Sequence, residues 1–181
     1  TDAVIIPSTT MQLRPPADDD HDWLVELHND PEVLRNLTNP EPITMQQHLA
    51  WWKSTKADPR QLRLIFTVEG QRVGFTKFYN IDHVNHNVVL GADIHKSHRG
   101  KGHAKNMWAM MLNVSFFALR MRRASLTTAD FNEIGQRVYR GIGFKEEGRL
   151  VESLCRDDKY HDQICMYMLA TDWLPLPVPN G

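Results

Sequence analysis

Two cysteines, Cys155 and Cys165, in 181 residues are too few to staple a fold, so a disulfide scaffold is excluded and packing must hold the core. Long apolar runs are missing as well. The most apolar window, Met107 to Leu119, spans 13 residues and is broken by Asn113 and Ser115, against the roughly 20 that a membrane-crossing helix needs. It reads as a core helix. Neither sign of charge is in excess, with 21 Lys+Arg against 22 Asp+Glu and a net charge of −1. That excludes a whole-molecule field able to hold nucleic acid without regard to sequence. Repeats at solenoid periods are lacking, and the longest biased run is Asp18-Asp19-Asp20. No basic stretch followed by an apolar one opens the chain, so a cytoplasmic location is the expectation.

What is present, 41% hydrophobic and 24% charged residues, can bury one core. Residues 1–10 carry no helix or strand pattern and residues 175–181 hold three prolines, so the expected domain is 11–174 between two tails. Asp18 to Asp20 precede Trp23-Leu24-Val25-Glu26-Leu27 and are expected to cap a first helix. Thr44 and Gln47 form a capping-box pattern before a second helix that ends near Asp58-Pro59. Leu62–Val68 and Arg72–Tyr79, β-branched and aromatic around Glu69-Gly70-Gln71, predict a hairpin. A third strand, Asn87–Ile94, runs into His98-Arg99-Gly100-Lys101-Gly102-His103-Ala104 and then a long helix. Beyond it a strand at Ala124–Thr128, a short helix at Asn132–Arg140 and two strands around Asp157-Asp158-Lys159 complete the pattern. The order ααβββαβαββ with one parallel crossover predicts an α/β fold, a mixed sheet with helices on its faces.

A glycine-rich turn between a strand's C-terminal end and a helix exposes backbone N–H groups that no helical carbonyl satisfies, and the helix dipole adds positive charge there. Such a turn suits a phosphate, although an ordinary strand-to-helix connection has the same outline. Gly100 and Gly102 would admit the ligand, Arg99 and Lys101 would screen its charge, and Ala104 would not block it. The spacing is wrong for a Walker-type P-loop, and Lys105 stands where a dinucleotide fingerprint needs a third glycine.

The run Arg99-Gly100-Lys101-Gly102-His103-Ala104 resembles the pyrophosphate loop of the GCN5-related N-acetyltransferase (GNAT) family. About 30 residues later, Asn132-Glu133-Ile134-Gly135 through Tyr139 to Gly143-Phe144 resembles the family's Asn-x-x-small-x-x-x-Tyr-x-x-x-Gly-Phe segment, with Gly135 where Ala or Ser is usual. The resemblance covers roughly Met11 to Trp173, and its branch includes ribosomal-protein, spermidine and nucleotide-amino-sugar acetyltransferases. It implies a mostly antiparallel mixed sheet with a central splayed parallel pair, acetyl-coenzyme A as co-substrate, and no metal. It also implies that Ala92, Asp93 and Ile94 on the splayed strand, the loop from Arg99 to Ala104, Asn132 and Tyr139 hold the coenzyme. Tyr139 would be the general acid, a role that suits a phenol protonated at pH 7. His86, Asp93 and Asp82 are candidate bases. A zinc site at His95, His98 and His103 is disfavoured, because no cysteine or carboxylate pattern completes four ligands.

The acceptor is expected to be a small-molecule amine. Asn29, Arg35, His48, Trp51 and Trp52 resemble a segment of acetyltransferases that act on nucleotide-linked amino sugars, and with Tyr79 they form the candidate acceptor site. A protein N-terminus and a polyamine are the alternatives, the latter calling for an acidic pocket that Asp18 to Asp20, Glu26 and Asp30 could supply. A non-catalytic coenzyme-binding module is the reading outside enzymes. A homodimer is compatible with the sequence.

Overall fold

The computed structural model describes residues 10–173, so the two expected tails lie almost wholly outside the described residues. A short first strand β1 (Met11–Arg14) leads through a 3₁₀ turn at Asp18–Asp20 to helices α1 (His21–His28), α2 (Pro31–Asn36) and α3 (Met45–Ala57). Strands β2 (Leu62–Val68), β3 (Gln71–Asp82) and β4 (Asn87–Ile94) follow, then α4 (His103–Asn113), which runs into a π-helical turn at Val114–Ala118. Strand β5 (Arg123–Ala129), helix α5 (Glu133–Ile142) and the hairpin β6 (Lys145–Arg156) and β7 (Lys159–Leu169) close the fold. One sheet takes the order β1-β2-β3-β4-β5-β7-β6, with β4 and β5 parallel and every other pair antiparallel.

The sheet is buried on both faces. In β2, Leu64 and Phe66 face the cluster built with Met107, Trp108 and Met111 of α4, while Ile65 between them joins Leu24 and Leu27 of α1, Val33 of α2 and Phe75. Alternation at period 2 makes that division. Val73 is the extra residue of a bulge opposite Phe66 and Thr67, so it falls in the α4 cluster although Phe75, two residues on, faces α1. The β2–β3 turn places Glu69 at φ 49° and Gly70 at φ 75°, the left-handed pair that a tight hairpin requires.

Two elements were not expected. β1 is four residues long, and its Met11/Leu13 alternation is too short to register as a strand by pattern. Helix α2 begins at Asp30-Pro31, where the Asp30 carboxylate accepts from the Glu32 N–H at 2.9 Å. Cap and first-turn proline were both present in the sequence. The acidic triplet departs from its expected use. Asp20 stands at the start of α1 and makes no capping bond to that helix, but it caps the 3₁₀ turn before it through the Ala17 N–H. Its carboxylate is 1% exposed, takes two bonds from Arg14 at 2.7 and 3.0 Å and one from the Ala17 N–H at 2.7 Å, and meets Arg72 at 3.3 Å. The Thr44–Gln47 capping box forms as expected, its two bonds at 3.2 and 2.8 Å.

Candidate active site

The β4–β5 pairing lasts three residues. It holds from Asn87↔Arg123 to Val89↔Ser125 and then ends, so Leu90–Ile94 separates from Leu126–Ala129. The opening is a groove of about 590 Å³ that runs between the two strands to the start of α4 and is closed at one side by the end of α2. Ala92, Asp93, Ile94, Arg99, Gly100, Gly102, His103, Ala104, Asn132 and Tyr139 all line it, while Lys101 is exposed beside it.

At the groove's floor, Gly102 is the N-cap of α4 with φ 80° and offers no side chain to the first-turn N–H groups. Those donors and the helix dipole make an anion seat. A Cβ at Gly100 or Gly102 would meet no protein atom within 4 Å, so the loop is glycine for its positive φ and not for want of room. Arg99 donates to the Ile94 carbonyl at 3.1 Å and pairs with Glu32 at 3.0 Å and Asp30 at 3.4 Å, fixing the loop against α2.

Asn132 caps α5: its Oδ1 accepts from the Gly135 N–H at 3.1 Å and its Nδ2 donates to Thr128 Oγ1 at 2.9 Å. A Cβ on residue 135 would stand 2.8 Å from Asn132 Cγ and closer still to its amide nitrogen. Glycine at 135 therefore lets the Asn132 side chain fold over the helix start. The Tyr139 ring packs edge-on against Trp108, centroids 4.9 Å apart. Burial pushes its phenol well above the ordinary value of 10.0, and the charges of Asp93 and Tyr79 push the same way. It carries a proton at neutral pH.

On the α1 side of the sheet lies a second cavity of about 430 Å³, with Leu24, Leu27, Ile43 and Phe75 among its apolar walls and His28, Gln47, His48, Trp51 and Arg63 bringing polar groups to it. Lys77 and Asp93 line both cavities and form an ion pair at 2.6 Å, so this pair is the partition where groove and cavity meet. Burial holds His28 and His48 below the ordinary imidazole value of 6.5. Burial also lowers Arg63 to about 10, and its guanidinium sits between the rings of Trp51 and Tyr79 at 5.8 and 5.7 Å.

The candidate residues divide accordingly. His48 and Trp51 line the second cavity and Tyr79 the groove. Trp52 packs beside His21 at 6.0 Å. Asn29 clamps the chain before α3, exchanging bonds with Ile43 at 2.8 and 2.9 Å. Arg35 stacks over Phe131 at 4.9 Å. Neither Asn29 nor Arg35 is among the residues that line the two cavities. Of the candidate bases, Asp93 is held by Lys77, Asp82 accepts three bonds inside its own turn, and His86 is exposed on that turn at φ 57°. Asp20, Glu26 and Asp30 pair with Arg14 and Arg72, with His95 and Lys96, and with Arg99, and the acidic pocket they could have formed is not built. Three cavity residues escaped the sequence reading. Lys77 and Arg63 sit in strands, where nothing marks one lysine or arginine from another, and His28 stood in a quoted motif without a role.

A split parallel pair over a helix N-terminus, with a protonated phenol beside the split, defines a coenzyme-dependent acyl transferase. The family model described as an acetyltransferase (GNAT) domain matches residues 10–145, and the chain belongs to that family. The uncharacterized N-acetyltransferase YokL of Bacillus subtilis, derived from the SPbeta prophage, is 28% identical over 80% of this chain and 82% of its own. The spermidine N(1)-acetyltransferase of Escherichia coli K12 is 24% identical over 91% of this chain and 89% of its own. The structure of the Vibrio cholerae spermidine N-acetyltransferase with CoA and spermine superposes with a TM-score of 0.85 at 23% identity, over 90% of this chain and 96% of that one. A putative ribosomal N-acetyltransferase of B. subtilis, YdaF, is 27% identical over 67% of each chain. No helix among the described residues is long and apolar enough to cross a membrane.

Proposed function

We propose that the chain transfers the acetyl group of acetyl-coenzyme A to a primary amine on the aminoalkyl end of a polyamine-type substrate. One observation carries the reading: the coenzyme groove and the cavity between α1, α3 and the sheet share a wall at Lys77 and Asp93, so two ligands can meet there. Residues present fit the coenzyme, since the α4 N-terminus offers free N–H groups and Gly102 opens the approach to them. Bound there, acetyl-coenzyme A supplies a thioester carbonyl that a neutral amine can attack. Leu90–Ile94, without a strand partner on its β5 side, is the edge proposed to hold the pantetheine arm and polarise that carbonyl. Tyr139 is the proposed acid for the departing sulfur.

The second cavity favours the free amine. An alkylamine with a pKa near 10.4 is about one part in a thousand or less neutral at pH 7, and burial beside cations lowers that pKa. Asp93 is the sole carboxylate on the cavity wall among the described residues, and Lys77 neutralises it. Apolar walls receive the methylenes of one aminoalkyl arm. Relatives with spermidine in their names support this choice. The nucleotide-linked amino sugar has less support, because, of the five residues whose resemblance suggested it, only His48 and Trp51 line the cavity, while Asn29, Arg35 and Trp52 are engaged elsewhere in the fold. Thiol release from acetyl-coenzyme A with spermidine, N-terminal peptides and nucleotide-linked amino sugars, run side by side, is the test. Release with spermidine is expected. Release with another class alone would replace the acceptor, and none, with the coenzyme bound, would make the protein a binding module.

A further inference from the structure

The acceptor cavity contains a buried ring nitrogen that the fold leaves unpaired. His28, the last residue of α1, lines the cavity. Its Nε2 is buried and has no hydrogen-bond partner among the described residues. In the neutral ring that carries its proton on Nδ1, Nε2 presents a bare lone pair. Buried polar atoms are ordinarily paired, and one that is not asks for a partner the free protein lacks. An amine N–H is such a partner, and the cavity that His28 lines reaches the Lys77–Asp93 wall where acetyl would be delivered.

We propose that His28 Nε2 receives the proton of the acceptor amine. The assignment rests on the acetyl-transfer reading above. As the amine nitrogen bonds to the acetyl carbon, one N–H proton passes to Nε2, the carbon–sulfur pair leaves with sulfur, and Tyr139 returns a proton to that sulfur. Exchange with solvent then resets both side chains. The ionisable groups around the imidazole suit the task. Lys77 of β3 disfavours a second charge before the amine arrives, and Asp93 of β4 stabilises the imidazolium once it forms. Arg63 of β2 and His48 of α3 share the cavity, but His48 Nε2 is taken by His21 Nδ1 at 2.9 Å. The carboxylates that could compete are bound already, Asp93 by Lys77 and Asp82 by its own turn.

His28→Gln separates the proton acceptor from a hydrogen-bond anchor, because its amide oxygen can accept from the amine but cannot take a proton. With spermidine at pH 7, both His28→Gln and His28→Ala should lose about 100-fold in kcat/KM, while calorimetry shows acetyl-coenzyme A affinity retained and hence a folded groove. The acid limb of the wild-type pH profile should vanish in both. Without coenzyme, nitrogen NMR of the wild type should show His28 protonated at Nδ1 and bare at Nε2, with Nε2 shifting when spermidine is added. Wild-type kcat/KM in His28→Gln, a retained acid limb, or a protonated Nε2 would overturn the assignment. If spermidine is no substrate, the acceptor reading fails by itself. The kinetic comparison then moves to whichever amine turns over. With no active amine, an Nε2 that spermidine does not shift overturns the proposal.

Discussion

Replacing Asp20 by Asn should remove about 2 kcal/mol at pH 7 and leave the groove between β4 and β5 intact. Arg14 holds the Asp20 carboxyl at about 2 against the usual 3.8, with the Ala17 N–H and Arg72 adding to that effect and burial opposing it. A carboxyl lowered by that amount on folding carries about 2 kcal/mol at neutral pH. Because the folded value is the lower one, this stability is fully present above 3.8 and disappears as pH falls towards 2. Asparagine keeps the shape and can still accept from Ala17, so the loss isolates the charge. Urea denaturation at pH 7 should show the whole gap, and at pH 3 about half of it. In a thermal scan at pH 7 the midpoint should fall by about 4–8 °C. A gap of equal size at both pH values would mean that packing and not charge is lost, and no gap at all would mean that the Arg14–Asp20–Arg72 cluster is idle.

Tyr139→Phe keeps the contacts with Trp108 and Phe144, so turnover should drop about 100-fold with unchanged thermal stability and coenzyme affinity; near wild-type turnover would remove the acid role. Gly102→Val forces a β-branched residue to φ 80° at roughly 1–2 kcal/mol and puts a methyl over the anion seat, so calorimetry should show weaker acetyl-coenzyme A binding, and wild-type affinity would move the phosphate site elsewhere. Gly135→Ala gains up to about 1 kcal/mol of helix propensity but displaces the Asn132 cap, a loss of about 1 kcal/mol, together with the Thr128 bond. Its denaturation midpoint should fall slightly and its coenzyme affinity more, whereas a stabilised variant would show that the Asn132 amide moves freely.

Much of the fold was legible because local chemistry and tertiary position agree. The hairpin at Glu69-Gly70, the Thr44–Gln47 box and the strand–glycine–helix unit each carry their cause within a few residues. β1 was missed because four residues do not make a period, and it exists through its pairing with β2, more than 50 residues away. Asp20 was misread for a related reason. An aspartate before a helix is a cap by local rule, but Arg14 and Arg72 form a bidentate and a third contact that the cap position cannot match. The groove could be expected from the glycine loop and the Asn132–Tyr139 spacing, both of which are local. The second cavity could not, since Arg63, Lys77 and Asp93 come from three strands and His28 from α1, and only the sheet register and the packing of α1 on it bring them to one wall.

In the proposed reaction that register would let one site serve two opposite proton demands. The amine must lose a proton and the sulfur must gain one, so a single shared pool of free carboxylates would serve neither end. Here Lys77↔Gly91 and Phe75↔Asp93 pairing sets the Lys77 and Asp93 side chains within 2.6 Å of each other at the partition, which ties down the one carboxylate both cavities share. On the groove side burial keeps Tyr139 protonated, and on the cavity side burial keeps His28 neutral. In the proposed reaction each group is therefore poised for its own direction of transfer, a donor beside the sulfur and an acceptor beside the amine. Asp93→Asn would leave the Lys77 ammonium unpaired between them. It should depress acetyl transfer with spermidine by making an imidazolium at His28 less favourable, which shows as an acid limb moved to lower pH and a lower plateau. An unchanged limb would separate Asp93 from His28 electrostatically and break the link between the two cavities.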